Sequence, residues 1–381
     1  MATAPAAGAV SQTVQPQTTG QPPGGPFIRY SQPGSRQMYN TAISFGGSVT
    51  QPLPSAPGYL RKLRFTVTAS GGVNGTVTVA AAADAPYNIF SLVQFKDAYG
   101  NPLIVGDGYS ILKLLPFYSG QFGLDGSADV ANLPSFSAVS VGSTGTGNFT
   151  VSGALPAEFA KGIGVISMAN SSLLPSVNLQ VATSGTVYST APGTLPTMSL
   201  ELDADFYWLP QGQPVVPISL GTTEQWVVQQ ATPGIGSGAS ARVGLPRLGG
   251  YITTLVLILR DSTGARIDAW PARVQVYIDG VPIWDDPIAK VYDDMFIAFG
   301  GTSGSYTRPT GVIAFTRKTS MSQKSLGLLD TGETLLSTNP GTLVEINGSP
   351  WGSITNAPAT LNVLVGMVVP VSQLTTGLPE V

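Results

Sequence analysis

Three short groups of acidic side chains are the residues of this sequence whose spacing could support chemistry. Glu201, Asp203 and Asp205 alternate along one stretch, a pattern that could offer paired carboxylates to a glycosidic bond. Asp285-Asp286 and Asp293-Asp294 bracket a helical pattern and could supply oxygen ligands to a hard cation such as calcium. Each has a plainer reading. Acids at alternate positions of a strand share its wet face, and Asp at a helix start caps orphan N–H groups and meets the positive end of the dipole. Asn-X-Ser/Thr triplets at Asn74, Asn148, Asn170 and Asn347 are glycan acceptors in a secretory setting and turn chemistry outside one. Tyr207 and Trp208, Trp226, Trp270, Trp284 and Trp351 could stack on a sugar, but their scatter along the chain suits core or interface anchors better.

Much other chemistry is excluded by composition. With no histidine and no cysteine, the chain lacks the commonest general base, the commonest metal ligand and any thiolate. Neither Gly-rich region continues into a phosphate-cradling GK[ST] or a GxGxxG between strand and helix. Net charge is −3 and no basic cluster is present, so direct nucleic-acid binding is not expected. No apolar run reaches the roughly 18 residues of a membrane span. The N-terminus, MATAPAAGAVSQTVQPQTTGQPPGG, has neither the charged nor the apolar region of a secretory signal. No catalytic, cofactor-binding or metal residue is therefore assigned, no cofactor is expected, and the chain reads as a non-enzyme.

The elements that would position these residues announce themselves by repetition. Val93-Gln94-Phe95, a turn at Asp97 and Gly100, Pro102-Leu103 and a helix opening near Gly108 are echoed by Val274-Gln275-Val276, Asp279-Gly280, Pro282-Ile283 and a helix opening near Pro287. The offset is 181 residues before the turn and 180 after it. Upstream, Gly58-Tyr59-Leu60 with Leu63 is echoed by Gly250-Tyr251-Ile252 with Leu255, each opening a long strand. Two echoes in the same order predict a duplicated β-rich domain. Length agrees, since 381 residues fit two domains of ordinary size.

Taken in order, residues 1–35 are Ala, Pro, Gln, Thr and Gly with almost no large apolar side chain, and read as a flexible N-terminal arm. A first domain spans 36–210. Its strand from Gly58 alternates Leu63, Phe65, Val67 and Ala69 against Lys62, Arg64, Thr66 and Thr68. Asn74-Gly75 predicts a turn into a strand Thr76–Val79, and Asn88–Phe95 a buried strand. Asp107–Phe117 has helical spacing with Pro116 near its end, a short helix at the sheet edge. Residues 119–146 read as a long loop. Strands follow at Asn148–Val151, Gly162–Met168, Val177–Val181 and Met198–Trp208, and Pro210 to Pro214 closes the domain. The second domain, 211–381, has Gln225–Gln229, a loop Thr232–Ala241, Tyr251–Leu259, the hairpin Arg273–Ile278 and Val281–Trp284, a helix Ile288–Phe299, then Val312–Thr316, Thr342–Ile346 and Leu361–Pro370.

Glycine at 46, proline at 31 and abundant Thr, Ser and Val give the rhythm of short strands in sandwiches. Charged residues are 10% of the chain, against about 25% in an ordinary soluble domain. A low-charge β protein is better accommodated when much of its surface is covered by copies of itself.

The strand Gly58–Ala69, the block Asn88–Asp97 with Gly108-Tyr109, Gly162–Val181 through Asn170 and Leu179, Met198–Pro210, Tyr251–Asp261 and Gly311-Val312 resemble, in order and spacing, the double jelly-roll major capsid proteins of tailless icosahedral double-stranded DNA viruses, the tectivirus and adenovirus-hexon lineage. The resemblance covers residues 36–371. It implies an all-β chain of two tandem eight-stranded jelly-roll sandwiches with short accessory helices and a flexible N-terminal arm. It further implies a homotrimer of pseudo-hexameric outline that tiles an icosahedral shell, usually around an internal membrane that the arm could touch. The partners it implies are neighbouring trimers and minor capsid and vertex proteins, in a virion assembled in the host cytoplasm, with a bacterial host as the expectation. Two departures stand out: the loops are short for a hexon, and the arm is Pro/Gln/Thr-rich where relatives often start with a helix. The rival reading is a secreted β-sandwich adhesin or carbohydrate-binding module; a glycoside hydrolase comes third.

Overall fold

The computed structural model describes residues 31–119, 135–136, 147–158, 164–168, 171–172, 174–208, 222–245, 249–299, 308–316, 336–338 and 341–370. The first half holds β1 (Gln32–Ile43), β2 (Ser48–Pro52), β3 (Gly58–Ser70), β4 (Ala80–Ala81), β5 (Phe90–Lys96), β6 (Pro102–Gly106), β7 (Ser135–Phe136), β8 (Phe149–Pro156), β9 (Ile166–Ser167), β10 (Ser176–Val181), β11 (Tyr188–Thr190) and β12 (Thr197–Trp208). The second holds β13 (Thr222–Ile235), β14 (Ala241–Leu245), β15 (Gly250–Arg260), β16 (Arg273–Ile278), β17 (Val281–Pro287), β18 (Val312–Thr316), β19 (Leu336–Thr338), β20 (Val344–Gly348) and β21 (Ala359–Pro370). A π-helical stretch Tyr109–Leu114 running into the α-helical turn Leu115–Tyr118 forms α1, and Ile288–Phe299 forms α2.

Strand order makes the duplication explicit. One sheet runs β1-β12-β3-β8 and its partner β2-β10-β5-β6; in the second half the sheets run β13-β21-β15-β18 and β14-β20-β16-β17. Substituting β13 for β1, β14 for β2, β15 for β3, β16 for β5, β17 for β6, β18 for β8, β20 for β10 and β21 for β12 turns one set into the other. Each half is thus an eight-stranded jelly-roll sandwich, with its core between the sheets: Phe65 of β3 meets Phe90 of β5 edge-to-face at 5.9 Å, and Trp284 of β17 meets Phe315 of β18 at 5.2 Å.

The irregularities repeat as well. Arg61 is skipped where β3 pairs with β12, between Leu60↔Phe206 and Lys62↔Asp205; Thr253 is skipped at the same place where β15 pairs with β21, between Ile252↔Met367 and Thr254↔Gly366. Leu103 is skipped between Phe95↔Ile104 and Lys96↔Pro102, and Ile283 between Val276↔Trp284 and Tyr277↔Pro282. Matching bulges fix the correspondence residue by residue, because a slip of one would turn every side chain to the other face. They also anchor the offsets of 181 and 180 seen in the sequence. The first hairpin turn spends one more residue, with Asp97 accepting from the Tyr99 and Asn101 amides at 2.8 Å each, whereas Asp279 (φ 49°) and Gly280 (φ 79°) make a two-residue turn with both φ positive.

Several expectations change. Thr76–Val79 is not a strand; Asn74 is fully buried and Gly75 turns at φ 66°, leaving only Ala80–Ala81 to pair, with β11. The expected loop Thr232–Ala241 begins later, since β13 runs on to Ile235. Of Gly162–Met168, only Ile166–Ser167 is strand among the described residues. Ser135–Phe136, inside the expected loop 119–146, pairs with β8; the rest of that loop from residue 120 to 146 lies outside the described residues. Gln32 to Ser35, counted with the arm, pair with β12 in β1; residues 1–30 and the domain junction at 210–211 lie outside the described residues.

Candidate functional site: a closed seam within the chain and its open counterparts

The sandwiches share a continuous sheet. The edge strand β6 of the first pairs in parallel with β13 of the second, Ile104 opposite Trp226 and Val105 opposite Val227, so that β18-β15-β21-β13-β6-β5-β10-β2 is one sheet. All four residues are buried. Trp226 is accommodated because Gly366 lies opposite it on β21; a Cβ there would come within 2.7 Å of the indole ring.

A buried ion cluster clamps the same seam. Asp84, in the loop after β4, takes Arg260 from the end of β15 on one oxygen and Arg266 Nε at 2.7 Å on the other. Arg260 Nη1 also donates to the Gly264 carbonyl and Arg266 Nη1 to the Thr310 carbonyl, each at 2.8 Å. Both guanidiniums lie against the Tyr109 ring of α1, 5.5 and 4.6 Å from its centroid. Burial pushes the Tyr109 hydroxyl pKa well up, against the opposing pull of Arg266. A cleft of about 480 Å³ opens beside this cluster, lined by Asp84, Asn88, Asp107, Tyr109, Arg260 and Asn362 among others.

The residues singled out for chemistry are spent elsewhere. Glu201, Asp203 and Asp205 do share the outer face of β12, with Leu200, Leu202, Ala204 and Phe206 buried behind them. Gln37 of β1 donates to Glu201 at 2.6 Å, while Lys62 and Arg64 of β3 reach Asp205 at 3.4 and 2.9 Å. The Asp203 pKa is raised, first by burial and then by Glu201. The stripe is a cross-strand ladder. Asp285 and Asp286 are not helix caps, because β17 continues to Pro287 and pairs them with Gln275 and Val274. Asp285 binds Arg273 at 3.0 Å and Asp286 binds Lys290 at 2.6 Å, while Asp293 and Asp294 face outward on α2. Among the described residues no group of three or more acidic, His or Cys side chains is placed to hold a metal ion.

The aromatic residues are dispersed in packing roles. Trp226 and Trp351 are fully buried, Trp270 lies 6.0 Å from Trp351, and Trp208 packs on Phe206 at 4.8 Å. Tyr207 is covered by Arg61 and donates to Glu158 at 2.8 Å; burial, then the Glu158 bond, pushes its pKa up to about 12. Of the asparagine triplets, Asn74 is buried, Asn148 accepts from the Gly72 amide at 3.0 Å and Asn347 donates to Gln275 at 2.7 Å; Asn170 lies outside the described residues. The Asp84 cluster had no sequence signal, because its partners lie 176 and 182 residues away.

Beyond the closed seam, its counterparts are open among the described residues. β17 corresponds to β6 and β1 to β13, yet among the described residues β17 pairs only with β16 and β1 only with β12. Beside β17, α2 exposes Phe296 at 44% and Ile297 at 76%.

This topology is a double jelly roll, the fold of viral major capsid proteins. Among solved structures, the chain is similar to the MCP of STIV, Sulfolobus turreted icosahedral virus, at 14% identity over 91% of this chain and 100% of that one, with a TM-score of 0.63. A second structure from that virus matches at 14% identity, 91% and 94% coverage and a TM-score of 0.61. The PBCV-1 virus capsid matches at 13% identity, 89% and 94% coverage and a TM-score of 0.58. No protein-family model and no curated protein matches the sequence.

Proposed function

We propose that the protein is a major capsid protein, a structural subunit whose work is self-association into a virus shell. The observation that carries this is the pairing of two topologically identical sandwiches, matched down to their bulges, with one junction closed inside the chain and its equivalents open among the described residues. A repeated unit with unsatisfied head and tail edges is built to be continued by copies of itself. The similarity in fold to viral capsid proteins over most of both chains supports the same reading. In finer detail, three chains would present six sandwiches as a pseudo-hexamer tiling an icosahedral shell. Minor capsid and vertex proteins, an internal membrane reached by residues 1–30, assembly in the host cytoplasm and a bacterial host belong to this proposal. So does a domain division near residue 210. The adhesin or carbohydrate-binding reading is disfavoured by the burial of Trp226, Trp270 and Trp351, three of the five tryptophans that could have stacked on a sugar.

Light scattering on the purified protein tests the proposal. A species of three times the 39.3 kDa chain, resistant to dilution, is expected. A stable monomer that binds oligosaccharide would overturn it. Deleting residues 1–30 is expected to leave that species intact and to impair shell assembly.

A further inference from the structure

We infer that the junction between copies is a continued β-sheet in which β1 of one copy pairs in parallel with β17 of the next, Ser35 opposite Trp284 and Arg36 opposite Asp285. The inference rests on the capsid reading for the number of copies, but its register comes from the closed seam. Ile104 and Val105 of β6 correspond to Trp284 and Asp285 of β17, because Phe95↔Ile104 and Gln94↔Val105 in one hairpin match Val276↔Trp284 and Gln275↔Asp285 in the other. Trp226 and Val227 of β13 lie opposite Gly366 and Val365 of β21. Through the shared bulge in β3 and β15, Gly366 and Val365 correspond to Asp205 and Ala204, which lie opposite Ser35 and Arg36 of β1. The intrachain pairs Trp226↔Ile104 and Val227↔Val105 therefore transfer, with no freedom to slip, to Ser35↔Trp284 and Arg36↔Asp285.

Chemistry at these positions fits the transfer. In the closed seam, Trp226-Val227-Val228 faces Ile104-Val105-Gly106, an apolar contact suited to permanent burial. The open counterparts read Ser35-Arg36-Gln37 and Trp284-Asp285-Asp286, polar enough to stay soluble before assembly and opposite in charge where they would meet. Ser35, Arg36 and Gln37 are exposed, Arg36 forms no ion pair among the described residues, and the Asp285 side chain is 42% exposed despite its bond to Arg273. Lys290 lies next to Asp286 and, with Arg273, offsets the two acids locally, so the attraction is a pairwise one between Arg36 and a half-exposed carboxylate. The occupant of the β17 edge is thus a second copy of this chain. A head-to-tail contact of this kind uses different surfaces on each side and closes only as a ring.

The absence of cysteine makes the test direct. In an Arg36→Cys/Asp285→Cys variant, paired residues of adjacent strands fall within disulfide range, and mild oxidation should give a covalent ladder that ends at three chains. Either single variant should give no ladder. As a second measurement, Arg36→Glu should raise the concentration at which the oligomer dissociates by about tenfold, and adding Asp285→Arg should bring it back to within about threefold of the original. A trimeric mass with no cross-link and no effect of charge reversal would overturn the junction while leaving the capsid proposal standing. A monomer at every concentration would overturn both.

Discussion

Removing the Asp84 carboxylate should loosen the contact between the two sandwiches, and its surroundings set the size of the effect. The Asp84, Arg260 and Arg266 side chains are 8%, 14% and 17% exposed, so water can do little to compensate a lost partner. Asp84→Ala strands two guanidiniums, each left with one carbonyl bond and the face of Tyr109. Breaking a buried pair by removing one partner costs about 3–5 kcal/mol, and the retained contacts place this case near the lower end, about 3 kcal/mol. For a unit of roughly 150–250 residues that corresponds to a fall in Tm of about 6–12 °C. Differential scanning calorimetry of the wild type and Asp84→Ala measures it. A triple variant, Asp84→Leu/Arg260→Met/Arg266→Met, should recover most of the loss, because the cost is that of unpaired charge and not of missing attraction. An Asp84→Ala protein melting within about 1 °C of the wild type would show instead that the cluster is solvated and its charges need no partner.

Further perturbations test the neighbouring claims. Trp226→Ala should cost about 3–5 kcal/mol by leaving a cavity at the seam, read by urea denaturation. Gly366→Ala should cost about 1–3 kcal/mol, since its methyl meets the Trp226 ring, and Trp226→Phe in the same chain should relieve it. Tyr207 favours its neutral form when folded; its contribution is fully present below about pH 10, declines as pH rises toward about 12, and should vanish from the alkaline denaturation profile in Tyr207→Phe. Asp261, held below the ordinary carboxylate range by the Thr263 hydroxyl at 2.6 Å, the Asn356 amide at 2.9 Å and two backbone amides, contributes stability above its unfolded pKa of 3.8. That stability is lost as pH falls through the lowered folded value, so Asp261→Asn should flatten the acid limb of the stability profile.

What was legible in the sequence was whatever the duplication wrote twice. The hairpins at Val93 and Val274 and the strands at Gly58 and Gly250 stood out because apolar alternation, turn residues and bulge positions all had to recur for each jelly roll to close. The acidic stripe on β12 was placed on the correct face by period alone. β1 was not legible: Gln32–Ile43 is a polar, exposed edge strand with no alternation strong enough to mark it. Thr76–Val79 has strand composition, but burial of Asn74 and the turn at Gly75 override it. At Asp285 and Asp286 a helix-start signal was misleading because cross-strand pairing to β16 extends the strand past both. The seam itself, with Asp84 reaching arginines 176 and 182 residues away, depends on how two finished sandwiches pack and leaves no local pattern. The polar character of Ser35-Arg36-Gln37 and the burial of Trp226-Val227 make sense only once the two strands are known to be equivalent.

Electron cryomicroscopy of the assembled particle would show whether the open edges are filled by copies of the chain in the geometry of the closed seam. Six sandwich-sized lobes around a threefold axis are expected, with sheet density continuous from β1 of each chain to β17 of the next. A twofold dimer, or a threefold assembly in which both edges face solvent, would contradict that arrangement.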